Sequence, residues 1–225
     1  MMRHPHVWMG LLLWSIFSPV HAAWTTNMAP GATEVSHEVF DLHMTIFWIC
    51  VVIGIIVFGA MFWSMIIHRR STGQVAAKFH ESTTVEILWT IVPLLILVVM
   101  AIPATKTLIR MYDSSESGLD IQVTGYQWKW NYKYLGQDVE FFSNLATPQD
   151  QIHNKEAKGE HYLLEVDQPL VVPVGVKIRF LVTSADVIHS WWVPAFAVKR
   201  DAIPGFVNEA WTRIEKPGIY RGQCA

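Results

Sequence analysis

The sequence predicts two membrane-spanning helices joined as a hairpin and followed by an all-β sandwich. Three observations carry this. Hydrophobic residues make up 52% of the 225 residues and charged ones only 16%, which is too apolar for an ordinary soluble domain. Two long apolar runs, from Met44 to Ile67 and from Val85 to Ile102 and on towards Ile109, occupy the first half. The second half changes to short alternating runs separated by Pro and Gly turns, the pattern of a sandwich or barrel.

Each apolar run is long enough, as a helix, to cross a hydrocarbon core of ~30 Å. The helices are expected at about 42–67 and 85–109. Pro93 and Pro103 lie within the second, where spanning helices accommodate them as kinks. The first run ends in His68-Arg69-Arg70, and Lys78 follows in the short loop. Basic residues in a short loop place it on the cytoplasmic side, so both outer ends of the hairpin face outward. Lys106 and Arg110 lie at the exit of the second helix, from where long basic side chains reach the interface.

The N-terminus points the same way. Arg3, the apolar stretch Val7 to Phe17, Pro19 and Val20-His21-Ala22 have the order of a signal peptide over 1–22 with its cleavage site. An uncleaved first anchor is the alternative. Export argues for a bacterial protein facing the periplasm. Residues 23–110 then form an outward lead plus the hairpin, and 111–225 the outer domain, reached through the polar linker Asp113 to Gly118. Strands are expected at Ile121–Trp128, Tyr162–Val166, Val176–Val182, Ser190–Val193 and Glu209–Ile214, with a surface loop from Phe142 to Gly159. The net charge of −2 provides no bulk positive field, so no nucleic acid partner is expected.

Two cysteines are present, Cys50 inside an apolar run and Cys224 at the end of the polar domain. A bond between them would join the bilayer interior to water, which its geometry forbids. An unpaired cysteine in an oxidising compartment calls for another explanation, such as a metal. His189 follows a hydrophobic strand and precedes Ser190-Trp191-Trp192-Val193-Pro194. Imidazole with thiolate suits copper. A satisfied edge histidine and a buried thiol are the plainer alternatives.

The chain resembles cytochrome c oxidase subunit II. The resemblance rests on the hairpin, Gly125-Tyr126-Gln127-Trp128-Lys129-Trp130, His189 to Pro194, Lys199-Arg200-Asp201-Ala202-Ile203-Pro204-Gly205 and Gly222-Gln223-Cys224-Ala225, which occur in order. It implies an N-terminal two-helix transmembrane hairpin followed by an all-β cupredoxin-like sandwich. The outer domain would be a periplasmic CuA domain, on a multi-pass protein of the bacterial inner membrane. CuA is a binuclear copper centre that accepts electrons from cytochrome c and passes them to haem a of subunit I. Oxygen reduction, coupled to proton pumping, and all haem belong to that partner subunit. Of the family's copper ligands, His189 and Cys224 can be carried over. The rest follow the cysteine in the family pattern, beyond Ala225, so the sequence reads as C-terminally incomplete and its domain as truncated.

By the same resemblance, Trp128 is where the electron enters. Glu86, in Val85-Glu86 with Trp89, lies at the mouth of the K proton pathway. Asp186, Asp138 and Glu140 are candidates to dock cytochrome c. Lys199 and Asp201 contact subunit I, with other oxidase subunits beyond it. Phe206 departs from the arginine expected there. A strand aromatic, a helix-start glutamate and solvated surface acids are the ordinary alternatives. Two rival identities are a copper-free quinol oxidase subunit II and a membrane-tethered single-copper carrier.

Overall fold

The computed structural model describes residues 27–29, 31–75, 78 and 80–225. The expected signal peptide at 1–22 lies outside them. Helix α1 spans Glu34–Ile67 and helix α2 Thr83–Tyr112, with Pro93 and Pro103 inside α2. At 1.5 Å per residue they are roughly 50 and 45 Å long, more than a bilayer core requires, so their outer ends project towards the β domain. No residue in the most apolar stretch of either helix is buried by the chain itself. This is how apolar side chains are disposed when lipid or a partner helix is their solvent.

Thr33 caps α1 in a reciprocal box: its hydroxyl accepts from the Ser36 N–H at 3.1 Å, and the Ser36 hydroxyl accepts from the Thr33 N–H at 2.9 Å. Two of the helix's orphan donors are thereby satisfied.

Eight strands follow: β1 Leu119–Tyr126, β2 Lys129–Tyr134, β3 Val139–Asn144, β4 Lys177–Ser184, β5 His189–Val193, β6 Val198–Ala202, β7 Asn208–Arg213 and β8 Gln223–Cys224. A one-turn helix, α3, Gln149–Ile152, lies between β3 and β4. One sheet has the order β3-β2-β1-β4-β7 and the other β6-β5-β8. The β1–β4 pair is parallel. The other pairs are antiparallel. Strand β4 alternates strictly, with Ile178, Phe180 and Val182 fully buried, the period-2 signature of a strand with one face in a core. Phe180 meets Trp191 of the other sheet at 4.7 Å between ring centres. The Trp191 indole N–H donates to the Tyr132 hydroxyl at 3.2 Å, which gives a buried ring its hydrogen bond. On the outer face Asp120 and Arg179, directly opposite in the parallel register, form a two-point ion pair.

The expected strand at Tyr162–Val166 does not form. Those residues run through turns, Leu163 takes a φ of 63°, and one bridge to Leu145 is the sole pairing. Strand-prone composition alone makes no strand without a ladder to join. Strands β3 and β6, in contrast, are not among the expected strands, and β3 runs into the segment from Phe142 expected to be a surface loop.

The hairpin is riveted to the sandwich. Ala32 donates to Ala195 O and accepts from the Glu215 N–H, while the Thr33 hydroxyl donates to Phe196 O. Arg110, at the end of α2, pairs with Glu34 and Glu38 of α1, and Arg213 of β7 approaches Glu34 at 3.8 Å. The Trp211 indole donates to Arg110 O at 2.9 Å. Arg110 thus finds carboxylates at the position from which the sequence suggested it reaches the interface.

Truncating Phe180 to Ala should cost about 3–5 kcal/mol of domain stability, read by denaturant unfolding, because the cavity opens between two rigid sheets. Burial pushes the Tyr132 phenol up to about 12. The unfolded chain therefore loses this proton first, near pH 10, and stability falls as pH rises from about 10 to 12. The expected loss is about 2–3 kcal/mol, and Tyr132→Phe should flatten that part of the pH profile.

Candidate metal centre

One end of the sandwich gathers the chemistry. Strands β1 and β4 run parallel, so Gly125 lies beside Ser184 and both strands finish at the same edge. The β1–β2 turn carries Trp128, which is 87% exposed. The β4–β5 loop carries Asp186, and β5 begins at His189. Strand β8 runs antiparallel to β5 with Cys224 opposite Trp191. The Ala225 N–H donates to Ser190 O at 3.2 Å, so the backbone after Cys224 runs alongside β5 towards His189. Both cysteines are free.

The imidazole of His189 is tightly placed, with its side chain 11% exposed. Nε2 lies 2.7 Å from Asp186 Oδ1. The Trp130 ring packs edge-on at 5.7 Å between centres. On the remaining side stands the Gly125 backbone: a Cβ there would lie 2.7 Å from His189 Cδ2. Asp186 also accepts from the N–H groups of Gln127 at 2.7 Å and Val187 at 2.6 Å. The His189 hydrogen bond above all holds its carboxyl well below the usual carboxylate range; desolvation opposes it, and the Val187 and Gln127 N–H groups and the Ser184 hydroxyl add to the lowering. An ionised carboxylate only accepts, so the His189 proton lies on Nε2 and Nδ1 keeps its lone pair when the ring is neutral. Among the described residues no three His, Cys, Asp or Glu side chains converge on a metal position. His189 and Cys224, on neighbouring strands at one edge, are donors of the kind copper takes. A histidine with its second nitrogen bound to a carboxylate is the arrangement by which proteins orient a metal ligand.

Comparison with known proteins gives the family. The chain matches the family model "Cytochrome C oxidase subunit II, periplasmic domain" over residues 119–225 and its transmembrane-domain counterpart over residues 21–107. The chain belongs to the cytochrome c oxidase subunit II family. A probable cytochrome c oxidase subunit 2 of Rickettsia bellii is 36% identical over 96% of this chain and 80% of its own length. That of Rickettsia prowazekii is 37% identical over 93% of this chain and 66% of its own, so the chain spans about two thirds to four fifths of these relatives. A crystal structure of the periplasmic domain of subunit II of cytochrome oxidase from Bradyrhizobium japonicum is 43% identical, with a TM-score of 0.43, covering 50% of this chain and 75% of that one. As a member of the cytochrome c oxidase subunit II family, the chain is a membrane protein with a periplasmic domain, related to subunits of an oxidoreductase complex.

The other residues singled out in the sequence fall elsewhere. Asp138 lies in the turn after β2, at the opposite end of that strand from Trp128, roughly 20 Å away. Glu140 is on β3 and pairs with Lys133 at 3.3 Å. Lys199 and Asp201 lie on β6, exposed, with the Lys199 ammonium 5.6 Å from the Trp192 ring centre. Phe206 is exposed after Gly205, whose φ is 75°. Glu86 is in the first turn of α2, where a carboxylate suits the helix dipole. Gly125 and Trp130 are the contacts that sequence reasoning missed as partners of His189. A glycine inside a strand was the available signal, since it often marks a close approach.

Replacing Asp186 with Ala should leave the Gln127 N–H without its acceptor. Hydrogen exchange at Gln127 is expected to accelerate markedly, while Val123, in the middle of β1, keeps its protection.

Proposed function

We propose that this chain is the electron-accepting subunit of a bacterial cytochrome c oxidase in the inner membrane, taking electrons from cytochrome c for delivery to haem a of subunit I. The observation that carries it is the His189 imidazole, clasped by Asp186 at Nε2, on the strand beside Cys224. Copper bound there would supply a one-electron acceptor, with His189 and Cys224 as two of its ligands in the binuclear CuA centre of the complete protein. The rest of the work falls to the protein. Gly125, Trp130 and Asp186 orient the imidazole, and Trp128 offers an exposed indole to the donor next to Gln127, which Asp186 ties to the same loop. Among the acids, Asp186 is the one beside Trp128, while Asp138 and Glu140 belong to a wider field. Complementary charge of this kind mostly sets encounter rate and orientation. Lys199 and Asp201 present β6 to subunit I. Glu86 supplies a carboxylate at the mouth of the K proton pathway, where an ionisable group at a helix end has reason to be.

In the intact oxidase, Trp128→Ala should slow reduction by cytochrome c by more than an order of magnitude while copper content stays the same. Rising salt should slow association, and salt-independent reduction would remove the charge-steering role. Turnover and proton uptake should fall in Glu86→Gln; unchanged values would exclude Glu86 from the proton path. Copper titration of the complete protein tests the centre, with His189→Ala expected to abolish tight binding.

A further inference from the structure

We propose that Gly125 is a positioning residue for the His189 imidazole: its missing side chain leaves the space in which the ring stands, so that Nε2 reaches Asp186 and Nδ1 is left as the metal-binding nitrogen. This rests on the reading of His189 as a copper ligand and deepens it.

Two reasons are commonly available for a glycine, and here one is absent. Among the glycines whose backbone lies in the left-handed region, at Gly73, Gly136, Gly175 and Gly205, conformation alone accounts for the residue. Gly125 is not one of them. It lies in regular β1, paired with Trp130 on one side and Ser184 on the other, where glycine weakens a strand. What demands it is space. A Cβ would stand 2.7, 2.9 and 3.2 Å from Cδ2, Cγ and Cβ of His189. The ring cannot simply turn aside. Trp130 covers its other flank and Asp186 holds its far nitrogen. The His189 backbone is paired with Ala202 in the ladder. The added atom would be absorbed by moving the imidazole, and with it the nitrogen left for metal. Asp186 also accepts from Gln127, two residues beyond Gly125, so the same short segment sets the ring's depth and its tautomer.

The test uses the full-length protein in detergent, metal-free and labelled with nitrogen-15 at histidine, with His189 assigned by its loss in His189→Gln. The wild-type ring should show the proton on Nε2. Gly125→Ala should disturb that pattern and weaken copper binding by roughly tenfold or more, the range expected when a ligand's supporting groups are changed. The unfolding midpoint serves as the control, because a purely structural glycine would lower stability and leave the tautomer in place. A wild-type proton on Nδ1 would overturn the proposal even where Gly125→Ala does not fold. So would a folded Gly125→Ala protein with an unchanged tautomer and copper affinity. Copper affinity in His189→Ala is read separately: if it matches wild type, the ligand reading fails, and the nitrogen-15 result still decides whether Gly125 positions the ring.

Discussion

The packing of Trp191 on Phe180 is the contact on which the rest of the domain depends. It joins the two sheets at the centre of the core, and Trp191 is further fixed by its hydrogen bond to Tyr132. Strand β5 is short, so anchoring one residue places the others. Its inward positions recur every second residue, as His189, Trp191 and Val193. The core contact therefore holds His189 against β1 at one end of the sandwich and offers β5 as the edge along which Gln223 and Cys224 pair. The chemistry is assembled by extending the core to its rim.

At that rim the fold replaces apolar contact with hydrogen bonding. Asp186 links three segments: the β1–β2 turn through the Gln127 N–H, its own loop through Val187, and the start of β5 through His189. A carboxylate can accept several bonds at once, and here it gathers the exposed indole of Trp128 and the largely buried imidazole into one unit. The resemblance suggested Asp186 as a charge for docking. The geometry adds an internal role.

The membrane end is held mainly through the backbone. Exposed ion pairs contribute little individually, and the Arg110 cluster is partly exposed. What makes the junction definite is its backbone pairing. The lead at Ala32 and Thr33 enters the sandwich beside Ala195, Phe196 and Ile214 before α1 begins. The indole of Trp211 closes on the last turn of α2. The hairpin and the β domain thus share hydrogen bonds on both sides of the connection.

Much of this was legible in the residue order. Two apolar runs, basic residues between them and alternation after Gly118 are local patterns, and they already specify helices that seek an apolar solvent and strands with one buried face. His189 and Cys224 could be singled out because residue type limits chemistry, and Trp128 because its run resembles the family's. Pairing could not be read this way. Tyr162–Val166 is rich in strand-forming residues and finds no ladder, whereas β3 and β6 form because neighbouring edges were available. The distance of Asp138 from Trp128, the reach of Arg110 to two glutamates and the contact of Gly125 with His189 join residues far apart in the chain. Such contacts arise from register and packing between strands, so they came into view only once the sheets were laid together.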